Sequence, residues 1–313
     1  MRQMWLLGLG VLVLGGLFVS VHRRNRKAAR LYDSTPICSP GLHHYVSLLQ
    51  LKPAGPVAQH DGATPAALLR DAVERNDGRL AYLGTAVTVM DELDQFLPSC
   101  DVLAYTTWSK PSDFEAFREE VSQTWAVHRA QPFHRPVPTN LMIGAVMHGV
   151  APLVLGIKAA LSGDKYDLTE RSTVTDNPKV AAHKWEDLQK LADLCEAGPA
   201  DEPLVFWNFE PEEMANPSPT DIEYAKGAMP ILMANGAGAV HGGFPLPQSK
   251  GGIGSFGKIV AMYYPSREMA TRLLRSKCYN DIYHFKTPAK RLIVITVPHP
   301  SQYPAGSTRP LLM

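Results

Sequence analysis

The chain has 313 residues, of which 45% are hydrophobic and 19% are charged, so it can bury a core and is not a disordered chain. Its 31 Lys and Arg nearly balance its 30 Asp and Glu, but residues 1–30 hold six basic residues and no acid, which leaves the rest acidic. An acidic body predicts no nucleic-acid partner, because such a protein needs a basic face for the phosphates. Neither a disulfide scaffold nor a zinc ribbon is predicted, because the four cysteines are far apart and form no CxxC pair: Cys38, Cys100, Cys195 and Cys278.

The amino-terminal region has the features of a membrane anchor. Residues 4–21 (MWLLGLGVLVLGGLFVSV) contain no charge over 18 positions, which is close to the length that crosses a bilayer core as a helix. A cleavable signal peptide, the alternative, would carry its positive charge before the apolar run, whereas here the cluster HRRNRK follows it at residues 22–27. We therefore predict a retained single-pass anchor over residues 1–30, with the folded body on the cytoplasmic side by the positive-inside rule.

Residues 40–150 are predicted to form a unit with the element order βαββαβ. The first helix begins at Thr64 and ends at Gly78, since Thr followed by Pro is a common helix start and Gly a common helix end. The second begins at Pro111 and continues past Trp125, because apolar residues recur at helical spacing up to that position. The four strands are predicted from β-branched and apolar runs at residues 44–51, 80–90, 102–108 and 141–147.

A second unit of the same order is predicted over residues 202–300, after a linker with a helix at 151–201 and before a tail at 301–313. Its strands are predicted at residues 204–209, 239–244, 258–264 and 292–297, and its helices at 218–236 and 265–285. The helix-end glycines Gly78 and Gly236 lie 158 residues apart, and each is followed six residues later by another glycine. Units of this order are ferredoxin-like, with a bare sheet face that a second unit can cover. We predict an α+β fold in which the two units form an intramolecular, pseudo-dimeric α+β barrel, so that the protein is monomeric.

The segment YYPSREMATRLLRSKCYNDIYHFKTPAKRLIVITV resembles the signature of the domain-of-unknown-function 1330 family: a strand, PSRE at 265–268, an apolar helix, S-x-x-Y at Ser276 and Tyr279, a histidine at His284, and a final strand at 292–297. The first unit has a similar order of predicted elements and turn residues but no S-x-x-Y motif. That family belongs to the dimeric α+β barrel superfamily, with ferredoxin-like subunits. The superfamily also contains antibiotic-biosynthesis monooxygenase-like, EthD-like and chlorite dismutase-like members. The resemblance therefore implies the fold rather than one activity.

Three histidines are the candidate acid/base residues. His128 and His284 fall at the predicted carboxyl ends of the second helix in each unit. An imidazole there either interacts with the helix dipole or borders the cleft between sheet and helices as a catalytic group. His241 lies in a predicted strand beside two glycines, where the first unit has Leu83, and is either a core histidine or a group close to a ligand.

Aromatic and polar residues of the predicted strands are the candidate ligand-binding residues. They either pack in the sheet core or wall a pocket for a planar organic molecule. With the arginine that follows His128, the set is Tyr105, Trp108, Arg129, Trp207, Asn208 and Tyr263; Tyr264 lies beside it. No metal site and no cofactor are assigned, since the sequence has no HExxH or GxSxG motif. The GxGxxG run at residues 252–257 precedes a strand rather than a helix, so we interpret it as a turn.

The leading hypothesis is a membrane-anchored protein that binds a small hydrophobic molecule. Its activity would be that of a cofactor-independent oxygenase, isomerase or cyclase, with His241 or His284 as the acid/base group. The alternative is a non-catalytic, membrane-tethered scaffold, which would need an exposed apolar patch rather than a pocket. A haem-binding variant, which only the superfamily suggests, ranks third because no histidine stands out as an axial ligand.

Overall fold

A computed structural model describes residues 42–52, 65–91, 100–134, 157, 167–169, 182–211, 218–245, 256–286 and 292–299. The predicted anchor at residues 1–30, the strand predicted at 141–147 and the tail at 301–313 lie outside these ranges. Within them, no helix is both long enough and apolar enough to cross a membrane.

The described elements follow the order βαββαβ twice, with one helix between the two halves. The first half consists of β1 (His43–Leu51), α1 (Pro65–Arg75), β2 (Arg79–Asp91), β3 (Val102–Trp108), α2 (Pro111–Ser122) and β4 (Trp125–His134). Helix α3 (Ala182–Glu196) follows. The second half consists of β5 (Leu204–Pro211), α4 (Pro219–Ala234), β6 (Gly238–Pro245), β7 (Phe256–Tyr264), α5 (Arg267–Arg275), α6 (Lys277–Tyr283) and β8 (Leu292–Pro298).

The eight strands form a closed antiparallel barrel in the order β1-β3-β2-β8-β5-β7-β6-β4. Each half contributes its strands in the ferredoxin-like order fourth, first, third, second, and the halves meet at two seams. The β2–β8 seam runs from Gly84 opposite Pro298 to Asp91 opposite Leu292. In the described part of the β4–β6 seam, Phe133 lies opposite Pro245 and His134 opposite Phe244. The predicted α+β fold, in which each half covers the bare sheet face of the other, is confirmed.

Alternating side chains divide the molecule into an inner core and two outer cores, because successive residues of a strand point to opposite faces. In β5, Val205 and Trp207 pack in a core built only from residues in and beside the strands of both halves, which is the barrel interior. Leu204 and Phe206 face the other way, into a core that includes residues of α3, α4, α5 and α6. The corresponding outer core of the first half lies beneath α1 and α2.

The fourth strand of the first half begins earlier than predicted. Helix α2 ends at Ser122, and residues 125–134 form β4, which pairs with β1 from Trp125 opposite Leu51 onward. Trp125 is 2% exposed and packs with Phe114 in the outer core, as it would have done at helical spacing. The helix predicted from periodicity is therefore about one turn too long. Pairing with β1 satisfies the backbone hydrogen bonds of these residues and still buries the Trp125 side chain. The prediction that His128 lies at a helix end is wrong.

The helix predicted at residues 265–285 is interrupted at Ser276. This residue has ψ 147°, an extended conformation, and is both the C-cap of α5 and the N-cap of α6. Its Oγ accepts a hydrogen bond from the Tyr279 backbone N–H at 3.3 Å and donates to the Leu273 carbonyl at 2.7 Å. The S-x-x-Y pattern is thus an N-cap that starts a second helix in a new direction.

At the end of the first helix the two halves align with an offset of 159 residues, whereas the glycine spacing gives 158. The residue with positive φ after the first helix of each half is Asp77 (φ 59°) in one and Gly236 (φ 78°) in the other. Gly78 is therefore equivalent to Ala237, not to Gly236, and the prediction from glycine spacing is wrong by one position. Both turns close with the same backbone hydrogen bond at 2.9 Å, from Gly78 to the Val73 carbonyl and from Ala237 to the Leu232 carbonyl.

Candidate functional site

A cavity of about 460 Å³ lies between the outer sheet face of the second half and the helices that cover it. Strands β5 to β8 supply one wall and α3, α4, α5 and α6 the other. Most of its lining is apolar, and polar groups reach it from the sheet, from α4 and from the end of α6. The lining residues are Leu188, Leu191, Phe206, Asn208, Glu210, Asp221, Ile222, Tyr224, Ala225, Lys226, Ala228, Met229, Leu232, Ala239, Lys258, Val260, Met262, Tyr264, Leu274, Tyr279, Tyr283, Lys286 and Ile293.

Local capping positions the two helices that carry the polar groups of this pocket. At the start of α4, the Ser218 Oγ accepts from the Asp221 backbone N–H at 3.2 Å, while the Asp221 carboxylate accepts from the Ser218 backbone N–H at 3.2 Å. This reciprocal pair is a capping box. In α6, which is capped at its start by Ser276, the i, i+4 spacing places Tyr279 and Tyr283 on one face. Both of these tyrosines are about 5% exposed and face α4.

Three tyrosines and a lysine form a polar cluster in the pocket, which we call the tyrosine cluster: Tyr224, Tyr279, Tyr283 and Lys286. The hydroxyls of Tyr224 and Tyr279 are hydrogen-bonded at 2.6 Å. The Lys286 Nζ lies 5.2 Å from the ring centroid of Tyr224 and 5.6 Å from that of Tyr283, within cation–π range. Burial, with the neighbouring tyrosines next in importance, raises the pKa of Tyr224 well above its usual value. Its hydroxyl therefore stays protonated at neutral pH and is a hydrogen-bond donor.

Asn208 is the sheet residue that brings an amide to the pocket. Its Nδ2 donates to the carbonyls of Phe206 at 3.2 Å and Val260 at 3.4 Å, which fixes the side chain against the strands. Near it, the Glu210 carboxylate and the Lys258 ammonium form an ion pair at 3.6 Å. The pocket thus has charged groups at the strand ends and the tyrosine cluster on the helices.

The barrel interior holds a second group of aromatic residues. The His241 ring is stacked on Trp207, with centroids 5.5 Å apart, and makes an edge contact with Tyr105 at 5.1 Å. In register, His241 is equivalent to Tyr82 and not to Leu83, because each follows the bulge in the second strand of its half. The Tyr82 hydroxyl is bonded at 2.6 Å to Thr296, and burial raises the pKa of Tyr82 well above its usual value. His241 is 6% exposed, so this group is part of a packed core.

The structure separates the residues that the sequence proposed for one site. Tyr105, Trp207, Tyr263 and His241 lie in or against the barrel interior. Asn208 lies in the pocket, together with the neighbouring Tyr264. Trp108 belongs to the outer core of the first half, where its indole N–H donates to Thr106 at 2.9 Å.

Neither His128 nor His284 is among the residues that line the pocket. His128 is on β4, with its Nε2 2.8 Å from the Gln50 side-chain oxygen. Arg129 lies on the same strand opposite Leu48, and its side chain is outside the described part of the chain. His284 is the C-cap of α6, and its Nδ1 is 2.7 Å from the Asp281 carbonyl oxygen. The last contact agrees with the structural interpretation of a histidine at a helix end.

Aromatic side chains fill the outer core of the first half, on the face that corresponds to the pocket. Trp108 and Phe117 are both at most 1% exposed, with ring centroids 5.1 Å apart. Phe114 packs edge-on against Trp108 at 5.8 Å and is stacked with Tyr45 at 3.5 Å. In the strand register Trp108 corresponds to Tyr264, which lines the pocket. The two halves thus have the same strand order and register. In the first half, however, bulky aromatic residues fill the outer face of the sheet, where the second half has the pocket.

Sequence reasoning missed the tyrosine cluster. The sequence pattern assigns Tyr279 only to the S-x-x-Y motif and gives no role to Tyr283. Their four-residue spacing, followed by Lys286, was the available signal. The partner Tyr224 is 55 residues away from Tyr279 along the chain, so no local pattern could connect them.

The donor atoms of the pocket do not suit a histidine-ligated haem. None of the residues that line it is a histidine. Among the described residues, no group of three or more His, Cys, Asp or Glu side chains could hold a metal ion. The described lining of this pocket therefore does not fit a histidine-ligated haem or a metal ion.

Comparisons with known proteins do not assign the chain to a family. No family model matches it, and no curated protein matches it. Among solved structures, two variants of the chlorite dismutase from Candidatus Nitrospira defluvii have TM-scores of 0.42 and 0.41, each at 9% sequence identity. The first alignment covers 88% of this chain and 96% of the other, and the second covers 86% and 95%. Such likeness is too weak to assign an activity, and the resemblance to the domain-of-unknown-function 1330 family stays a prediction.

Proposed function

We propose that the protein binds a small, largely apolar molecule in the pocket between the second-half sheet and helices α4 and α6. The observation that carries the proposal is the cavity itself, about 460 Å³ in volume, with a mostly apolar lining and a few polar groups. Pockets of about 300–1,000 Å³ with this character are typical of small-molecule sites. Asn208 and the tyrosine cluster supply the groups that would orient the molecule.

The apolar segment at residues 4–21 would tether this pocket to a membrane. The proposal of an anchor rests on the sequence, since 18 uncharged residues followed by a basic cluster have the length and flank of a signal-anchor. A tether of this kind suits a molecule that partitions into lipid, because it keeps the pocket close to the phase that contains its ligand.

The proposal is one of binding rather than of a named reaction. The first catalytic candidate, His241, packs in the barrel interior and does not line the pocket. The Tyr224–Tyr279 pair offers one O–H to a bound molecule, because the other O–H is used in the hydrogen bond within the pair, and this group would orient a ligand. Of the two carboxylates in the lining, Asp221 caps α4 and Glu210 is paired with Lys258, so neither is positioned here as a base.

Native mass spectrometry of the full-length chain, released from detergent, tests the proposal. We expect the purified protein to carry a bound organic molecule, or to take up a neutral probe such as 1-naphthaleneacetamide. Replacing Ala239, an exposed alanine on the pocket wall, with tryptophan should fill the space and abolish this binding. Ala116→Trp, on the exposed face of α2 in the first half, is the matched control and should bind like the wild type.

Binding that persists in Ala239→Trp, or that is absent from the wild type, would refute the proposed site. Oligomers without any bound molecule would instead favour the scaffold hypothesis. The described surface gives that hypothesis little support, because its exposed large apolar side chains lie on separate elements: Val87, Ile157 and Ile222.

A further inference from the structure

We infer that the pocket selects apolar molecules that carry a hydroxyl group, and that the side-chain oxygen of Asn208 accepts a hydrogen bond from that hydroxyl. The inference rests on the proposed function, since it concerns the ligand of the same pocket. It is carried by the way in which the strands hold the Asn208 amide on an otherwise apolar part of the pocket floor.

The strands determine which end of the Asn208 amide faces the cavity. Its Nδ2 donates to the Phe206 carbonyl oxygen at 3.2 Å and to the Val260 carbonyl oxygen at 3.4 Å. The opposite orientation would place the amide oxygen against these two carbonyl oxygens, and no proton would lie between the three acceptors. Because nitrogen and oxygen are on opposite sides of the planar amide, Oδ1 is directed away from the strand backbone and toward the cavity.

The oxygen of this amide is left for a ligand. It makes no hydrogen bond with the described part of the chain, since both contacts of the Asn208 side chain are made by the nitrogen. Asn208 is half-buried and lines the pocket, so a molecule in the pocket reaches it. A ligand that shields an acceptor from water weakens its own binding unless it brings a donor in place of the water. The ligand that fits therefore places a donor at this position.

The side chains around Asn208 favour a neutral donor. On the outer face of the sheet it has Phe206 two positions before it on β5, Val260 opposite it on β7 and Ile293 opposite it on β8, and all three line the pocket. A charged donor would lose its hydration against these apolar side chains, which one amide oxygen does not offset. A hydroxyl has a single proton to place, whereas a primary amide brings two donors and an acceptor. An alcohol or a phenol is therefore the class of ligand that this floor suits best.

The test compares three probes that share a naphthalene body: 2-naphthol, 2-fluoronaphthalene, which has no proton to donate, and 2-methoxynaphthalene, which keeps the oxygen but lacks the O–H. Their binding to the full-length protein is measured by equilibrium dialysis, with the same detergent in both chambers so that uptake by micelles cancels. We expect 2-naphthol to bind about tenfold more tightly than either of the others, which is within the usual effect of a hydrogen bond to a group that would otherwise lose its partner.

Asn208→Leu removes the amide and leaves the size of the side chain nearly unchanged. It should abolish the preference for 2-naphthol and keep the affinity for 2-fluoronaphthalene within about twofold of the wild type, which also shows that the variant folds. Val260→Ala is the matched control, because it shortens the neighbouring apolar side chain of the same floor and leaves the Asn208 amide in place. It should weaken the binding of all three probes alike and keep the preference.

A preference for 2-naphthol that survives in Asn208→Leu would overturn the inference, because another group would then accept the proton. Wild-type protein that binds 2-methoxynaphthalene as tightly as 2-naphthol, and 2-fluoronaphthalene more weakly, would also overturn it, since the pocket would then donate to the ligand oxygen. That comparison needs no variant, so it decides the question even if Asn208→Leu does not fold. If the three probes bind alike, the inference fails while the proposed function stands. If none binds the wild type, both fail.

Discussion

Arg267 shows how one buried charge fixes the position of a helix. It is 4% exposed, and its Nε donates to the Glu202 carboxylate at 2.6 Å while another guanidinium nitrogen donates to the Cys195 carbonyl at 3.2 Å. These contacts join the start of α5 to the end of α3 and the turn after it. A Cβ at Gly198 would lie 2.6 Å from the Arg267 guanidinium, which is too close for a real contact. Any larger residue at position 198 would therefore displace the arginine side chain.

Replacing Glu202 with alanine should destabilise the protein by about 2–3 kcal/mol, because it leaves a buried guanidinium without its counter-charge. The measurement is the thermal unfolding midpoint, which should fall by about 5–10 °C. Glu268→Ala is the control, since it removes an exposed i, i+4 pair with Arg272 and should change stability by less than about 0.5 kcal/mol. A similar fall of the unfolding midpoint in both variants would show that the buried Arg267–Glu202 pair stabilises the protein no more than an exposed pair does.

Sequence patterns found Arg267 but not its role. It belongs to the PSRE motif, which predicts a helix start, and Ser266 does cap α5 by accepting from the Met269 N–H at 3.0 Å. Glu202 is 65 residues earlier in the chain, and only the packing of α3 against α5 brings it near. Local chemistry therefore predicted the cap, whereas tertiary structure determined the ion pair.

At the scale of elements, the two halves end their first helix in the same way with different residues. Asp77 and Gly236 both have positive φ, a conformation that costs a side-chain-bearing residue free energy and glycine almost none. Asn76 and Asn235, which precede them, each donate a side-chain hydrogen bond to the carbonyl four residues earlier, at 2.8 and 2.9 Å. The repeat is thus preserved in backbone geometry more closely than in glycine positions.

Asp77→Gly should stabilise the protein by about 0.5–1 kcal/mol, because it relieves the cost of positive φ at this turn. Gly236→Ala should destabilise it by about 1 kcal/mol for the same reason. A Cβ at Gly236 would lie 3.6 Å from the Pro265 Cγ, an ordinary contact, so the expected loss is conformational and not steric. Unfolding midpoints measured on both variants check the prediction, and a destabilised Asp77→Gly would contradict it.

At the scale of the whole molecule, the two halves of the barrel are joined by two seams and by the inner core between them. The β2–β8 seam is paired along most of both strands, and at the β4–β6 seam Phe133 lies opposite Pro245 and His134 opposite Phe244. The inner core contains residues from both halves, so each sheet covers the inner face of the other. The β2–β8 seam and the interior packing therefore hold the two halves together.

Hydrogen exchange measured by mass spectrometry should show strong protection where β8 joins the two halves. Backbone amides of Val294 and Ile295, in a strand that pairs with β2 on one side and β5 on the other, should exchange at least about tenfold more slowly than those of Arg118 and Glu119 on the exposed face of α2. The physical reason is that the hydrogen bonds of β8 break only when the halves separate, whereas a surface helix can open locally. Equal protection of the two segments would contradict the prediction.

The sequence by itself determined the element order, both repeats, most helix starts and the α+β class, because caps, turns and periodicity depend on neighbouring residues. Only the tertiary structure decided that Trp125 and His128 lie on a strand, that His241 packs in the barrel interior and that Tyr224 meets Tyr279. These outcomes depend on contacts between residues far apart in the chain. The pocket shows this most clearly, since two halves with the same strand order differ in the helices and side chains that cover the outer face of each sheet.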